Sequence, residues 1–191
     1  MIIKSEIPYH WRKIEIDDLP QVTLIHRKAF PKAALTQLGV ESIKRYYEWQ
    51  LTGPHNCFPI GVFDKSQMLL GFCFAGVFKG ALSGFINKNK YYLVMQLISH
   101  PWLLMNPVIK DRIKIALHTL KKKPIKINPN KIVVIEKSFG ILSIAVDPEK
   151  KGLGIGKFLM KVVEHEALEN GYDHMHLTVE PDNKEAVHFY E

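Results

Sequence analysis

Apolar and polar residues alternate along the first half of the chain with two different periods. Residues 11–16 alternate with a period of two, which predicts a half-buried strand. Apolar side chains recur every three or four residues in 19–30 and in 39–50, which predicts two helices. Two strand-like runs, 59–63 and 68–78, flank a four-residue turn and predict a hairpin. The first half is therefore expected to run strand, helix, helix, strand, strand.

Helix-like patterns occupy the segment 79–126 in the middle of the chain. Residues 91–98 and 111–120 have helical spacing, and Pro101 and Pro107 separate them. We expect a helical hairpin that packs on the sheet. Three alternatives stay open because apolar residues between the prolines are flanked by lysines: a lid over a substrate site, a dimer surface, or a surface that lies against a membrane.

The last third of the chain again mixes strand and helix patterns. Residues 131–136 and 140–146 are apolar and β-branched, and they predict either a hairpin or one long bent strand. Helical spacing begins at Ile155 and stops at an Asn-Gly pair. Residues 173–179 alternate as a strand, and a last helix is expected after Pro181. Strands and helices thus alternate in this part of the chain.

A glycine-rich turn joins the strand that ends at Val146 to the following helix. Asp147-Pro148 breaks the strand, because proline has no N–H to give to a sheet. In a turn without side chains, backbone N–H groups can converge near the positive end of the helix dipole. The layout therefore predicts an anion site. Its glycines are Gly152, Gly154 and Gly156, and the lysines around it are Lys150, Lys151 and Lys157.

Two common phosphate-binding motifs do not fit this turn. The loop of nucleotide hydrolases needs a glycine where Lys151 stands and a serine or threonine where Phe158 stands. The dinucleotide fingerprint has glycines at its first, third and sixth places, whereas this chain has them at the first, third and fifth. A tight turn without any ligand remains an alternative.

Two stretches resemble the signatures of the GNAT family of N-acetyltransferases. Residues 146–156 resemble the acetyl-CoA loop, with Val-x-Pro followed by a basic or polar residue and spaced glycines. Residues 183–190 resemble the second signature, Asn-x-x-Ala-x-x-Phe-Tyr. Lys151 stands where the family usually has arginine or glutamine, and it keeps the charge but loses the planar fork of arginine. The resemblance is clear over 141–191.

The resemblance implies an α/β fold with a mixed, mostly antiparallel central sheet and flanking helices. We expect one acetyltransferase-like domain over 1–191, with a helical insertion at about 79–126. Family members normally continue beyond the second signature through one or two more strands. The chain is therefore expected either to be truncated after Glu191 or to complete its sheet through a neighbour, such as a second copy in a homodimer.

The resemblance also implies acetyl-CoA as co-substrate and roles for particular residues. Tyr190 matches the family position whose phenol protonates the sulfur of coenzyme A. Glu136 is the candidate base, with Ser143 and His176 as alternatives that could orient a water molecule. Since His174 and His176 have no third ligand at a useful spacing, no metal is expected. The expected cofactor-binding residues are Ile144, Ala145, Val146, Lys151, Gly152, Leu153, Gly154, Ile155, Gly156, Lys157 and Asn183.

Composition narrows the class of protein and of partner. The chain has 191 residues, of which 47% are hydrophobic and 24% charged, as in an ordinary soluble domain. The net charge of +7 suits the phosphates of coenzyme A and an anionic acceptor, and no zinc-finger or RNA-recognition pattern indicates specific nucleic-acid binding. No long apolar run or signal-peptide pattern is present, and Cys57 and Cys73 are expected to be reduced. We expect a cytoplasmic protein without a transmembrane segment.

The motifs and the composition leave two classes of function. The first is an acetyl-CoA-dependent N-acetyltransferase that acts by direct attack of a primary amine on the thioester. Its acceptor is expected to be a small molecule such as an amino sugar, with a protein amine as the alternative. The second class is a non-catalytic acyl-CoA-binding or regulatory module on the same fold.

Overall fold

The computed structural model describes residues 9–78, 80–121 and 139–179, together with the single residue 188. Within these described residues there are five strands: β1 (Tyr9–Lys13), β2 (Asn56–Asp64), β3 (Leu69–Val77), β4 (Phe139–Val146) and β5 (Met175–Leu177). The helices are α1 (Leu19–Ala29), α2 (Ala34–Gln37), α3 (Val40–Thr52), α4 (Ala81–Ser99), α5 (Pro107–Lys121) and α6 (Ile155–Glu169). Short 3₁₀ turns cover Ile16–Asp18, Pro101–Met105 and Pro148–Lys150.

The strands form one sheet in the order β1-β2-β3-β4-β5. The first four strands pair antiparallel, whereas β4 and β5 pair parallel. The predicted mixed, mostly antiparallel sheet with flanking helices is therefore confirmed. The sheet places the end of β4 beside β3 and next to the start of α6, where the glycine turn lies.

Helices cover both faces of the sheet, and each face has its own core. The face under α1 and α3 is rich in aromatic side chains, whereas the face under α6 is mainly aliphatic. Both cores draw on alternate residues of β3, because successive side chains of a strand point to opposite faces. On β3, Phe72 and Phe74 belong to the first core, and Cys73 and Ala75 belong to the second. A register shift near the start of the strand interrupts this alternation, so Leu70 also belongs to the second core.

The first strand differs from its prediction. It ends at Lys13, and Ile16 lies in a 3₁₀ turn rather than in the strand. The carboxylate of Asp18 accepts hydrogen bonds from the Glu15 N–H and, in bidentate fashion, from the Arg12 guanidinium. These bonds hold the backbone in a turn, and alternation of polarity alone did not reveal them.

The two helices of the inserted segment pack on the other helices rather than on the sheet. α4 begins at Ala81, ten residues before the predicted stretch, because its buried residues Ala81, Phe85 and Asn89 face inward at a spacing of four. The Trp49 Nε1–H donates to the Ala81 carbonyl at 2.8 Å. A side chain at Gly84 would collide with the Trp49 ring, so this glycine permits the close approach.

The strand predicted at 131–136 lies outside the described residues, and within the helix predicted after Pro181 the structure describes only residue 188, which is helical. Both cysteines are free thiols, and burial raises the pKa of Cys57 to about 12. Among the helices of the described residues, none is both long enough and apolar enough to cross a membrane.

Candidate functional site

The site begins where β4 separates from β5. The two strands pair only from Phe139 to Ile141, opposite Met175 to Leu177. β4 then continues to Val146, and over this length its partner among the described strands is β3. Within the described part of the chain, backbone groups on the other edge of β4 are thus available to an extended ligand.

The direction of one edge N–H follows from a hydrogen bond on the opposite edge. The Asp147 N–H donates to the Leu70 carbonyl of β3 at 2.9 Å. Because backbone N–H groups alternate in direction along a strand, the N–H of Val146 points to the open edge. The open edge therefore ends on a donor.

A β-bulge lies where the strands separate. Phe74 pairs with Ser143 and Ala75 pairs with Ile141, so Leu142 is an extra residue in β4. Leu142 packs on the core under α1 and α3, and the Ser143 hydroxyl reaches the same core. The bulge therefore turns two consecutive side chains of β4 toward α1 and α3.

Behind Ser143 lies a buried chain of polar groups. The Tyr47 hydroxyl lies 2.9 Å from Ser143 Oγ and 2.8 Å from His26 Nδ1. Burial lowers the pKa of His26 to about 4 and raises the pKa of Tyr47 well above its ordinary value, so both groups are neutral at neutral pH. The buried His26 Nε2 has no hydrogen-bond partner among the described residues. The chain therefore connects the open part of β4 to the middle of the core.

The loop after β4 is fixed to its surroundings by hydrogen bonds. The carboxylate of Asp147 accepts from the Glu149 N–H at 3.1 Å. Lys28 of α1 donates to Asp147 at 3.2 Å and to Glu149 at 2.8 Å. Hydrogen bonds to Glu149 and Asp147 raise the pKa of Lys28. The loop therefore has supports on both β3 and α1.

Glycines shape the rest of the loop through their backbone conformation. Gly152 has φ of +81° and Gly154 has φ of +74°, a region that other residues rarely adopt. A Cβ at either position would meet no atom within 4 Å, so the space around the loop is open. Gly154 caps α6, whose first N–H groups lack acceptors within the helix, and buried Ile155 anchors that helix. The loop and the helix start thus form a place for an anion.

The described structure brings together one part of the predicted site. Ile144, Ala145 and Val146 lie at the end of β4, and residues 151–157 follow directly in the loop and the first turn of α6. Glu136, Asn183 and Tyr190 lie outside the described residues. His176 lies on β5, where its ring packs against Gly140. Among the described residues, no three His, Cys, Asp or Glu side chains are grouped to hold a metal ion.

His26, Tyr47 and Lys28 were not predicted from the sequence as residues of the site. Tyr47 looked like one of several aromatic residues at helical spacing in a core. Its hydroxyl forms a hydrogen bond with Ser143, which lies 96 positions later in the sequence. Lys28 donates to Asp147, which lies 119 positions later. A single sequence carries no local signal for such long-range contacts.

Comparisons with known proteins agree with this geometry. The model of the acetyltransferase (GNAT) family matches residues 124–191. A comparison with curated proteins found no match. The aminoglycoside N-acetyltransferase AAC(6')-Iy in complex with CoA is similar in structure, with a TM-score of 0.56 at 11% identity over 95% of this chain and 84% of that chain.

Two further solved structures differ in the acceptor that their names give. A glucosamine N-acetyltransferase region of a fungal multi-domain β-N-acetylglucosaminidase has a TM-score of 0.57 at 14% identity, over 95% of this chain and 16% of that chain. The ribosomal-protein-S18-alanine N-acetyltransferase of Escherichia coli has a TM-score of 0.54 at 15% identity, over 95% and 74%. The likeness at these identities shows the fold. The GNAT acetyltransferase family model matches the last third of the sequence, and that match agrees with the fold likeness.

Proposed function

We propose that the chain transfers an acetyl group from acetyl-CoA to a primary amine of a small-molecule acceptor. The observation that carries this proposal is the continuous open path along β4, from its separation from β5 to the glycine loop and the start of α6. An extended ligand with a diphosphate at one end suits such a path, because strand edges bind extended chains and helix starts bind anions.

In this proposal, the backbone of β4 binds the pantetheine arm at Ile144, Ala145 and Val146. The diphosphate accepts hydrogen bonds from amides of Lys151, Gly152, Leu153, Gly154, Ile155, Gly156 and Lys157, and Asn183 contributes by its place in the second signature. The N–H of Val146 donates to the oxygen of the acetyl carbonyl. Such a donor can stabilise the transition state by about 3 kcal/mol.

The reaction forms a bond between the acceptor nitrogen and the acetyl carbon and breaks the carbon–sulfur bond. Glu136 is proposed to take the proton of the incoming amine, with Ser143 or His176 orienting a water molecule as the alternative. Tyr190 is proposed to protonate the departing thiolate. The roles of Glu136 and Tyr190 rest on the family resemblance, whereas the support for Ser143 is its hydrogen bond to Tyr47 at the strand separation.

An amino sugar is the acceptor that we propose. A cleft of about 190 Å³ lies between the start of α3 and the inserted helix α4, and its lining includes the polar side chains of Gln37, Glu41, Tyr92, Gln96 and His100. These side chains suit the hydroxyl and ammonium groups of a sugar. Glu41 precedes Tyr47 by six residues, or about 9 Å along α3, and the Tyr47 hydroxyl lies 2.9 Å from Ser143 Oγ.

Replacing Glu41 tests this acceptor. One oxygen of the Glu41 carboxylate pairs with Arg45 at 2.7 Å, and the carboxylate still attracts an ammonium group through its other oxygen. Glu41→Gln should therefore raise KM for a glucosamine-type amine several-fold and leave the Kd for CoA unchanged. Glu164→Gln on α6, an exposed residue away from the cleft, is the matched control. If KM for the amine does not change in Glu41→Gln, the cleft is not the acceptor site.

Replacing a glycine that has positive φ in the loop tests the proposed cofactor site. Gly154 and Gly171 have the same φ of +74° and flank α6 at its two ends, and a Cβ at either meets no atom within 4 Å. Gly154→Val and Gly171→Val should therefore strain the chain similarly. Calorimetry should show a loss of acetyl-CoA affinity of tenfold or more in Gly154→Val alone. Equal affinities in the two variants would overturn the site.

Activity separates the enzyme from a non-catalytic acyl-CoA-binding module. A free-thiol assay with a panel of amines should show acetyl-CoA-dependent release of CoA in the presence of the acceptor. Tyr190→Phe should lower turnover while CoA affinity stays the same, because the phenol acts only on the leaving sulfur. Unchanged turnover contradicts the role of Tyr190, and CoA binding without turnover on any amine supports the binding module.

A further inference from the structure

The inserted helices present an apolar surface that the proposed acetyl transfer does not use. Its members are between 53% and 79% exposed, although each is a large hydrophobic side chain. On α4 they recur at spacings of three and four and so share one face of the helix. We call this surface the outer stripe. It consists of Tyr91, Val94, Met95 and Ile98 of α4 and of Trp102 and Met105 of the 3₁₀ turn that follows.

The outer stripe lies on the opposite side of α4 from its packed face. The buried residues Ala81, Phe85 and Asn89 face α3, where Phe85 contacts the ring of Tyr46. Contiguous exposed apolar surface of this kind is rare on soluble proteins and marks an interaction surface.

Positive charge surrounds the outer stripe. Residues 81–121 contain six lysines and arginines, and Asp111 is the one acidic residue in that part of the sequence. Lys90 is exposed on α4 beside the stripe, and its Nζ lies 5.0 Å from the centre of the Tyr91 ring. Lys88 is also exposed, and its Nζ lies 5.3 Å from the centre of the Trp49 ring of α3, toward the packed face. Such lysines cover apolar surface with their carbon stems and keep the ammonium group at its edge.

Charge distinguishes the candidate occupants of this surface. A symmetric dimer formed through the stripe would bring together two copies of the same cationic segment, and like charges in an interface are costly. An anionic bilayer offers the opposite charge for the lysines and an apolar layer for the stripe. Aromatic side chains such as Tyr91 and Trp102 are enriched at the boundary between these two layers of a membrane.

We propose that the outer stripe and its lysines form a binding surface for anionic phospholipid bilayers. α4 lies along the interface with its stripe among the lipid headgroups and upper acyl chains, and Lys88 and Lys90 contact phosphate groups. This places a protein with a proposed soluble co-substrate at a membrane surface, where lipid-linked or membrane-bound acceptors become accessible.

Vesicle binding by the full chain tests the proposal. Co-sedimentation should occur with vesicles of phosphatidylcholine mixed with phosphatidylglycerol, should be much weaker with phosphatidylcholine alone, and should weaken as salt increases. The double variant Ile98→Ser/Trp102→Ser should lose at least tenfold in affinity. The matched control is Met68→Ser/Leu168→Ser, which removes two apolar side chains of similar exposure from the hairpin turn and from α6.

Charge variants test the second component of the surface. Lys88→Gln/Lys90→Gln should weaken binding by roughly fivefold per lysine, whereas the exposed pair Lys65→Gln/Lys161→Gln should change it little. Trp102 also serves as a fluorescent probe of membrane contact. Brominated lipid should quench the tryptophan fluorescence of the natural sequence strongly and that of Trp102→Phe much less.

The results of these experiments distinguish a membrane from a second copy of the chain as the partner of the outer stripe. Loss of vesicle binding in the stripe variants but not in the controls supports the membrane surface. No vesicle binding by the natural sequence, equal binding by stripe variants and controls, or a dimer that dissociates in Ile98→Ser/Trp102→Ser would each overturn it. Calorimetry with acetyl-CoA on the same variants keeps this result independent of the proposed acetyl transfer, because the stripe lies outside the cofactor site.

Discussion

The two faces of the sheet are built for different purposes. Under α6, the side chains of Ile155, Leu159, Val163 and Ala167 meet an apolar surface, and the first of them anchors the helix directly after the glycine loop. Under α1 and α3, the core instead includes the polar chain from His26 through Tyr47 to Ser143. Burying polar groups lowers stability, so proteins retain such groups where they have a task. The comparison shows that α6 anchors the glycine loop by apolar packing, whereas the other face buries a hydrogen-bonded chain of polar groups behind the end of β4.

The largest expected effect comes from the apolar face. Leu159→Ala removes a fully buried side chain from α6 and should lower the free energy of unfolding by about 3 kcal/mol, because a cavity remains. Leu168→Ala, on the same helix but 65% exposed, should change it by less than about 0.5 kcal/mol. Urea unfolding monitored by circular dichroism measures both, and similar values for the two variants would contradict the assigned core.

Acid should destabilise the polar face through His26. Burial lowers the pKa of His26 from 6.5 in the unfolded chain to about 4, so folding favours the neutral imidazole. The stabilisation is complete above about pH 6.5 and is lost as the pH falls toward 4, and it is on the order of 3 kcal/mol. Asp18 contributes in a separate range, because the hydrogen bond from Arg12 lowers the pKa of that carboxyl below 3.8.

Urea unfolding at about pH 7.5 and about pH 4.5 measures the effect of His26. His26→Gln should remove most of the difference between the two pH values, whereas His165→Gln, at an exposed position on α6, should leave it intact. An unchanged pH dependence in His26→Gln would mean that another group is responsible.

Tyr47→Phe should have an intermediate effect. The variant keeps the ring but removes the hydroxyl that reaches both His26 and Ser143, and it should cost about 1–3 kcal/mol because their polar atoms lose a partner. The control Tyr92→Phe should cost less than about 1 kcal/mol, since Ser42 keeps its bond to the Leu38 carbonyl. Chemical denaturation compares the two, and equal losses would contradict a special role for Tyr47.

The smallest effect should follow from Lys28→Gln, which removes the ion pairs that join α1 to the loop after β4. These charges are partly exposed, and water and salt screen them. Unfolding measured at low and at high salt should show a small destabilisation that high salt abolishes. A large loss that persists in high salt would show that Lys28 supports the loop by packing rather than by charge.

Several features could be predicted because neighbouring residues determine them. The hairpin of β2 and β3, helix α6 and the glycine turn follow from periodicity and from residues that break it, and the structure confirms these elements. The predicted end of β1 was wrong, because the hydrogen bonds that the Asp18 carboxylate accepts from Arg12 and from the Glu15 N–H override the alternation of polar and apolar residues. The prediction that α4 packs on the sheet was wrong for a similar reason. The packing of α4 depends on the close approach of Trp49 to Gly84, and these residues are 35 positions apart in the sequence.

By itself, the sequence determined the order of the main elements, the family resemblance and the position of the glycine-rich turn. It could do so because hydrophobic period, proline and glycine act on their immediate surroundings. The tertiary structure decided where β4 leaves β5, which side chains stand behind Ser143, and which face of α4 stays exposed. These features depend on residues far apart in the chain, and their proximity exists only once the sheet and helices have packed.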